Sequence, residues 1–471
     1  MQPMFDSIGQ FIVNAAEVLC GYPLFFLLIG GGLYLFISSG AVSIRRLPAA
    51  LSELRRKPDN EGVKNGQISS VQALASVVAA TIGLGNIAGV AIALVMGGPG
   101  AIFWMWVSAL VGMATKYHEG VLAIMYKGKD DKGVPQGGTM HIIERGLGRK
   151  WTPLAKFFAI AGMFGTLCIM NANQLTEAFM TTFTTPEGLQ SSAFLSNVGG
   201  WLRLENVKVY RLLFGIAIAA IVGVVILGGI KRIAKVATVL VPFMVGLYFV
   251  MVLYIIVTNI HGVPGVFRSI FAEAFNWRAG FGALAGIAII GARRAALVND
   301  AGIGTATIMH GASNNNRPVR EGLIAMLGPS IDSGLVCTLT AIAILLCGNI
   351  DVEGVKGLEV AMKAFGSAIP AGDVLLMCIV VCFAMSSMFS YSFYGTSCAS
   401  YLFGSRRGRL YAWFFLASLV IFAIVPLEAA VGACDLFYAL MAFPTMFAVL
   451  LLSPKVRRAT KDYFSDADNL K

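Results

Sequence analysis

"VVAATIGLGNIAGVAIALVMGGPG", residues 77–100, is apolar enough for the centre of a membrane, yet Gly83, Gly85 and Gly89 surround a lone Asn86 within it. Lipid offers no hydrogen-bond partner, so unwound backbone persists at that depth only where it lines a cavity or is covered by protein. The stretch therefore predicts a broken transmembrane helix that presents its backbone and one amide to a buried site. The alternative is close helix packing, because Gly85 and Gly89 also form a small-xxx-small pattern.

The composition of the whole chain is that of a polytopic membrane protein. Of 471 residues, 57% are hydrophobic and 13% are charged, and the mean hydropathy is +0.76. These values lie well outside the range of soluble domains. About eleven apolar stretches are long enough to cross a hydrocarbon core of about 30 Å. They lie near 22–42, 68–96, 99–126, 153–181, 210–229, 236–258, 277–296, 321–348, 371–402, 409–427 and 429–453.

The basic residues predict the orientation of these spans. Most of the 36 Lys and Arg residues fall in loops that alternate spans place on the same side as the C-terminal tail. The positive-inside rule then puts the N-terminus outside and the C-terminus in the cytoplasm, in a plasma membrane such as a prokaryotic inner membrane. This topology explains the net charge of +11 without a nucleic-acid partner. We also expect no cleaved signal peptide, no disulfide framework and no ATP-binding loop.

An inverted repeat is hidden in the order of the spans. After residues 1–67, two groups of five spans occupy 68–260 and 277–453, and a cytoplasmic tail follows at 454–471. Because five is odd, the second group enters the membrane from the opposite side. It also opens with a glycine-interrupted span, "AGFGALAGIAIIGARRAALVNDAGIG" at 279–304. Paired broken spans point to a transporter binding site, with the second break expected at Gly280–Gly286.

Four motifs resemble those of the alanine or glycine:cation symporter family. They are "TIGLGNIAGVAIALVMGGPGAIFWMWVSALVGMATKYHEG" (81–120), "GGTMHIIERGLG" (137–148), "VNDAGIGTATIMHGAS" (298–313) and "RPVREGLIAMLG" (317–328). The resemblance runs from about residue 20 to 453. It implies an all-α LeuT-type fold, a 5+5 inverted repeat with one extra N-terminal span. It also implies sodium-coupled uptake of a small neutral amino acid, with sodium as the coupling ion and no organic cofactor.

Four positions depart from the family pattern. Leu84 replaces a threonine, Asn171 replaces a glutamine, Tyr391 replaces a tryptophan and Asp300 replaces a glutamate. The first change removes one hydroxyl beside the presumed carboxylate site. These departures leave the choice among small neutral amino acids open.

The predicted substrate site combines the broken spans with polar residues of other spans. Asn171 and Gln174 are three residues apart and share a helix face in an otherwise apolar stretch. The backbone near Asn86 is expected to hold the substrate carboxylate, and the second broken span is expected to hold the ammonium. The candidate substrate residues are Gly83, Leu84, Gly85, Asn86, Asn171, Gln174, Gly280, Phe281, Gly282, Gly286 and Tyr391.

The predicted cation ligands are Asn86, Ser386, Ser387 and Asp332. The two serine hydroxyls are hard oxygen ligands and fall on a hydroxyl pair that the resemblance assigns to a sodium site. The alternative is that each hydroxyl bonds a backbone carbonyl of its own helix. Asp332 lies about halfway through its span, where a carboxylate costs about 2.5–3.5 kcal/mol on insertion scales. It either ligates a cation, carries a proton, or forms a structural polar pair. Pro329, just before it, is expected to weaken the helical ladder.

A cytoplasmic cluster containing Arg293, Asp300 and Arg317 is the predicted inner gate, although topology alone also places basic residues there. The leading rival function is a proton-coupled carrier of the same fold that uses Asp332. A channel would need a continuous polar lining, and a membrane-embedded enzyme would need a nucleophile and a base in register. The sequence shows neither, so we expect no enzyme activity. Stoichiometry and oligomeric state stay open.

Overall fold

The computed structural model describes residues 14–16, 18–55, 67–131, 133–202, 204–275, 281–348, 357–425 and 427–468. These residues are almost all helical. They contain one two-stranded antiparallel hairpin, in which β1 (Gly128–Lys129) pairs with β2 (Pro135–Gln136). The all-α prediction is therefore confirmed.

The helices that build the bundle follow one another with short connections. In chain order they are α1 (Gly31–Ser38), α2 (Ser70–Thr81), α3 (Val90–Gly97), α4 (Gly100–Met125), α5 (Thr152–Gly165), α6 (Ile169–Phe183), α7 (Asn206–Ile226), α8 (Gly229–Thr258), α9 (Phe281–Asn299), α10 (Thr305–Gly311), α11 (Pro318–Ala325), α12 (Cys337–Leu346), α13 (Leu358–Ala368), α14 (Gly372–Phe403), α15 (Tyr411–Ile424) and α16 (Leu427–Asp468). Connecting α-helices are Tyr22–Phe25, Val42–Arg45, Leu47–Arg55, Thr139–Ile142, Pro186–Ser191, Ala193–Leu202, Val263–Ala274, Leu327–Pro329 and Ser405–Gly408. π-Helical segments are Phe26–Gly30, Gly85–Gly89, Ile143–Leu147 and Ser330–Val336, and 3₁₀ turns are Arg149–Trp151 and Ile260–Gly262.

Most predicted spans are helices long and apolar enough to cross a membrane. Within the described part of the chain there are 8 such helices, or 9 when one bent pair counts as a single span. The other two predicted spans coincide with α4 and α9. Both are helical; α4 carries Lys116, and α9 carries Arg293 and Arg294.

The first broken span lies where the sequence predicts it. α2 begins at a capping box between Ser69 and Gln72 and ends at Thr81. Helix resumes at Gly85, and the two parts, Ser70–Thr81 and Gly85–Gly97, meet at an angle of 55°. Gly83 and Gly85 flank the turn, and glycine is a poor helix former. Low helix propensity and a local break thus coincide here.

The second break is not at Gly280–Gly286, and that prediction is wrong. Gly280 lies outside the described residues, and α9 runs without interruption from Phe281 to Asn299 through Gly282 and Gly286. The helix breaks instead between Asn299 and Thr305. There Asp300, Gly302 and Gly304 have φ values of 51°, 86° and 97°. These left-handed conformations cannot continue a right-handed helix.

One glycine of α9, Gly291, serves helix packing. A Cβ on Gly291 would lie 2.2 Å from the carbonyl oxygen of Ala101, so glycine lets α9 approach α4 closely. Gly286 instead has open space around it, with no heavy atom within 4 Å of an added Cβ. The packing explanation of glycine patterns therefore holds for Gly291 and not for Gly286.

We expect Gly286→Ala to keep or raise the stability of the protein, by up to about 1 kcal/mol, because alanine is the better helix former. Gly291→Ala is the matched control in the same helix and should lower stability, since its methyl group meets the Ala101 carbonyl. Thermal unfolding of the purified protein in detergent micelles measures both. A loss at Gly286 as large as that at Gly291 would contradict a continuous α9.

The two broken helices lie side by side and antiparallel. α2 contacts α10, and α3 contacts α9, so the first half of each pairs with the second half of the other. α4 packs along α9 and α11 on one side of this pair, and α14 packs against α2 on another. This arrangement agrees with the inverted repeat of the predicted fold class. The repeat boundaries at 68–260 and 277–453 stay a prediction.

Candidate functional site

A cavity of about 120 Å³ lies where the two broken helices unwind. Backbone of both breaks contributes to its wall, together with side chains from α6, α14 and α16. The lining residues are Ala80, Thr81, Gly83, Leu84, Gly85, Gly89, Ile92, Gly165, Cys168, Met170, Asn171, Arg294, Val298, Asp300, Ser387, Tyr391, Cys434, Asp435 and Tyr438. Drug-sized ligands occupy pockets of about 300–1,000 Å³, so this cavity suits a much smaller molecule.

The cavity brings together several of the residues predicted to bind substrate. Gly83, Leu84 and Gly85 line it from the first break, and Asn171 and Tyr391 line it from α6 and α14. Gln174, one turn after Asn171, is outside the described lining. The described lining contains none of the residues of the predicted second break. Gly280 lies outside the described residues, the surroundings of Phe281 and Gly282 are not described, and Gly286 lies in the continuous part of α9.

Asn86 holds the first break in shape instead of lining the cavity. Its Oδ1 accepts a hydrogen bond of 3.0 Å from the backbone N–H of Gly83, and its own N–H donates to the Gly83 carbonyl at 3.1 Å. Its Nδ2 donates to Asp332 Oδ1 and lies 3.6 Å from Cys337 Sγ. The amide thus fastens the unwound turn to a neighbouring helix.

Asp332 lies in the π-helical segment Ser330–Val336, directly after Pro329. The predicted weakening of the helical ladder there corresponds to this segment. The carboxylate is fully buried. Oδ1 accepts from Asn86, whereas Oδ2 has no hydrogen-bond partner among the described residues. Next to it, Ser333 Oγ donates to Asn299 Oδ1 at 2.6 Å, so the same segment contacts both breaks.

Ser386 and Ser387 gather oxygen atoms at the end of α2. The Ser386 hydroxyl is 3.0 Å from the carbonyl oxygen of Ala79, and the Ser387 hydroxyl is 3.0 Å from that of Ala80 and 3.3 Å from that of Ala79. Both serines are about 1% exposed. Two hydroxyls and two carbonyls at an unwound helix end are suitable ligands for a small hard cation. These atoms share no hydrogen-bond partner with Asn86 and Asp332, so the predicted cation ligands fall into two groups.

Asp300 belongs to the cavity and not to a cytoplasmic gate, which corrects the sequence prediction. It lies in the second break, is 2% exposed, and accepts hydrogen bonds from the Tyr391 hydroxyl and from Thr305 Oγ1, the latter at 3.3 Å. Tyr438 in turn donates to Tyr391 at 2.6 Å. Arg317 is exposed at the start of α11, beyond α10, and the Arg293 side chain is not described. Asp300 and Arg317 therefore do not form one cluster, and the gate role of Arg293 stays a prediction.

A different polar network joins the outer ends of α2 and α10. Glu321, fully buried, accepts from Ser70 at 2.7 Å and from Asn315 at 3.0 Å, and its other oxygen lies 2.7 Å from His310 Nδ1. We call these four residues the α2–α10 junction. Lys127, in the loop after α4, donates to the carbonyls of Ser313 and Asn315 at 2.6 and 2.9 Å. Burial lowers the pKa of Lys127 to about 8, although the Glu321 carboxylate partly opposes this shift.

Sequence reasoning missed several residues of the cavity. The predicted span 153–181 is broken between α5 and α6, where Cys168 has a φ of 52°, and Cys168 lines the cavity. Arg294, Asp435 and Tyr438 also line it. The signal for Arg294 and Asp435 was their charge in or beside an apolar span, since such residues usually face an interior pathway.

The described residues contain no group of three or more His, Cys, Asp or Glu side chains that would hold a metal ion. The oxygen set at Ser386 and Ser387 is of another kind, because it relies on hydroxyls and carbonyls. Such ligands suit hard cations and not transition metals.

Comparisons with known proteins show the family to which this chain belongs. The family model described as "Sodium:alanine symporter family" matches residues 5–471. The sodium/alanine symporter AgcS of Methanococcus maripaludis is 38% identical over 443 residues, covering 93% of each chain. An uncharacterized transporter of Haemophilus influenzae is 38% identical over 475 residues, covering 98% of this chain and 96% of its own. The crystal structure of MhsT in complex with L-phenylalanine covers 83% of this chain and 99% of MhsT, with 15% identity and a TM-score of 0.44. The chain is a transporter and belongs to the sodium:alanine symporter family.

Proposed function

We propose that the protein is a secondary active transporter that couples the entry of sodium to the uptake of a small neutral amino acid of the alanine or glycine type. The observation that carries this proposal is the small cavity between two broken helices, with glycine backbone on one wall and the Asp300 carboxylate on another. Alternating access then exposes the cavity to one side of the membrane at a time.

The two ends of a zwitterionic amino acid match the two breaks. The substrate carboxylate is held at Gly83–Gly85, where the second half-helix of the broken span begins and its N-terminal dipole favours negative charge. The ammonium is held by Asp300 and the carbonyls of the unwound segment 300–304. Leu84, Tyr391 and Asn171 then surround the side chain, and the cavity volume of about 120 Å³ favours a small one.

The sodium ion binds between the hydroxyls of Ser386 and Ser387 and the carbonyls of Ala79 and Ala80. Ser387 also lines the substrate cavity, and its Oγ would lie 2.9 Å from a Cβ added to Gly83. The proposed cation site and the proposed carboxylate site are therefore separated only by the turn of backbone that contains Gly83. Coupling follows because each ligand stabilises the form that the other binds, and this linkage is reciprocal.

We expect Ser387→Ala to raise the sodium concentration needed for half-maximal uptake at least about tenfold, because a ligand to the desolvated cation is lost. The matched control is Ser392→Ala in the same helix. The Ser392 hydroxyl is buried but donates only to the Phe389 carbonyl of its own helix. The measurement is uptake of labelled alanine and glycine into proteoliposomes as a function of external sodium. Equal sodium dependence in the two variants would exclude the proposed site.

A proton-coupled carrier of the same fold is the second candidate. It is favoured by the buried Asp332 carboxylate, whose Oδ2 has no hydrogen-bond partner among the described residues and can therefore accept a proton. Uptake that follows a pH gradient in sodium-free proteoliposomes would favour this mechanism. Uptake that requires sodium at every pH would exclude it.

The proposed orientation is N-terminus outside and C-terminus in the cytoplasm, supported by the distribution of basic residues. Arg293 and Arg294 lie in the membrane helix α9 and not in a loop, so they do not contribute to this bias. The remaining basic loops keep the same sign of asymmetry.

A further inference from the structure

A second cavity, of about 390 Å³, lies away from the substrate site at one end of the bundle. It is formed by the chain that follows α1, by α4, and by the last turns of α16. Six of its lining residues decide its chemistry, and we call the cavity the basic pocket. They are Arg45, Arg46, Arg457, Lys461, His118 and Phe464.

The basic pocket concentrates positive charge from two separate segments of the chain. Arg45 and Arg46 come from one end of the chain, and Arg457 and Lys461 come from the other. Among the described lining residues none is acidic, and no ion pair with a carboxylate is formed by these four residues within the described part of the chain. Four like charges that converge in one cavity repel each other, so an anion between them would be stabilising.

The wall of the basic pocket also offers unused hydrogen-bonding capacity. His118 is fully buried; its Nδ1 lies 2.7 Å from the Ala114 carbonyl, whereas its Nε2 has no partner among the described residues. Arg46 is held over the Phe464 ring at 3.6 Å, which fixes its guanidinium at the wall. The guanidinium groups supply the planar N–H donors that recognise phosphate oxygens in pairs.

An apolar surface leads away from the basic pocket along α1. Leu33, Tyr34 and Ile37 are 46%, 50% and 67% exposed, as expected for side chains that face lipid. A ligand with a phosphate at one end and acyl chains at the other fits both surfaces at once. The pocket also lies at the ends of α1 and α16, where a membrane protein meets the headgroup layer.

We propose that the basic pocket binds the phosphate headgroup of an anionic phospholipid. Basic pockets between membrane helices bind such headgroups electrostatically. The bound lipid joins the extra N-terminal span to α4 and α16, because its phosphate bridges cations from separate segments.

Native mass spectrometry of the purified full chain in detergent tests this proposal, with phosphatidylglycerol and phosphatidylcholine as probes. We expect phosphatidylglycerol to bind the wild-type protein preferentially. We expect Arg457→Gln with Lys461→Gln to weaken that binding about thirtyfold, given the contribution of each basic residue at an anionic surface. The matched control is Arg406→Gln with Arg407→Gln, an exposed basic pair outside the basic pocket that should change binding less than about threefold.

Three results would overturn the proposal. They are equal binding of the two lipids, equal loss in the control variant, and displacement of phosphatidylglycerol by inorganic phosphate at low millimolar concentration, which would indicate a site for a soluble anion. Thermal unfolding without added lipid checks that each variant is folded. If the double variant does not fold, Arg45→Gln tests the same pocket from the other segment.

Discussion

Replacement of Asp300 by asparagine is expected to raise the KM for alanine uptake about a hundredfold or more at saturating sodium. The proposed partner of Asp300 is the substrate ammonium, and truncating one member of a buried charge pair costs about 2–5 kcal/mol. Asparagine has the same shape and tolerates the left-handed backbone, so the φ of 51° at this position is retained and the substitution isolates the charge. Initial uptake rates in proteoliposomes over a range of alanine concentrations give the KM.

Tyr391→Phe is the control for the Asp300 variant. It removes the hydroxyl that donates to Asp300 but leaves the carboxylate in place. Its effect should be about tenfold, which corresponds to about 1.5 kcal/mol, the lower end of the range for one hydrogen bond to a charged group. An unchanged KM in Asp300→Asn, with the protein correctly folded, would show that the ammonium binds elsewhere.

Replacement of Glu321 by alanine is expected to open the α2–α10 junction. The carboxylate is the common acceptor for Ser70, Asn315 and His310, and all three lose it at once. Removing one partner from a buried polar pair costs about 3–5 kcal/mol, enough to change the ratio of closed to open forms at least about a hundredfold. The reactivity of Ser313→Cys toward a water-soluble maleimide reports this opening, because Ser313 is fully buried in this structure.

Arg317→Ala is the matched comparison for the Glu321 variant. Arg317 belongs to the gate predicted from sequence and is exposed, and its backbone N–H, which the substitution retains, donates to Asn315 Oδ1 at 2.9 Å. We expect its loss to change maleimide reactivity less than about threefold, as for most surface substitutions. Similar effects of the two substitutions would show that Glu321 does not control this end of the protein.

The first break was predictable because its causes are local. Gly83 and Gly85 lower helix propensity, and Asn86 supplies the polar group that an unwound turn requires. The position of Ser386 and Ser387 beside the end of α2 agrees with the sequence prediction, whereas their role as cation ligands stays a prediction. At the break the residue type itself carries the information.

The second break was misplaced because glycine has two uses in a membrane helix. Gly291 lets α9 approach the Ala101 carbonyl, whereas Gly302 and Gly304 adopt left-handed backbone. Which use applies depends on how closely the neighbouring helix approaches, and a single sequence does not give the distance between two helices. Ending the predicted span at residue 296 then moved Asp300 into a loop. Arg294 was assigned to the cytoplasmic side because of its charge, whereas in the structure it lines the cavity.

The hydrogen bonds of Asn86 and Asp332 differ from the ligand contacts that the sequence predicts for them. Asn86 was expected to contact substrate or cation, and Asp332 was expected to ligate a cation, carry a proton or form a structural polar pair. In the structure the side-chain amide of Asn86 accepts a hydrogen bond from the Gly83 N–H and donates one to Asp332. Their pairing joins residues far apart in sequence, and a single sequence gives no measure of such proximity.

The pairing of Asn86 with Asp332 depends on two π-helical segments, Gly85–Gly89 and Ser330–Val336. A π-turn is equivalent to an α-helix with one residue inserted. Loss of a single codon from either segment would restore regular helix there and leave the flanking helix in its orientation. The side chains inside the segment would change direction, so Asn86 and Asp332 would lose their pairing even with both residues still present. The length of these two segments is therefore as much a part of the site as the side chains they carry.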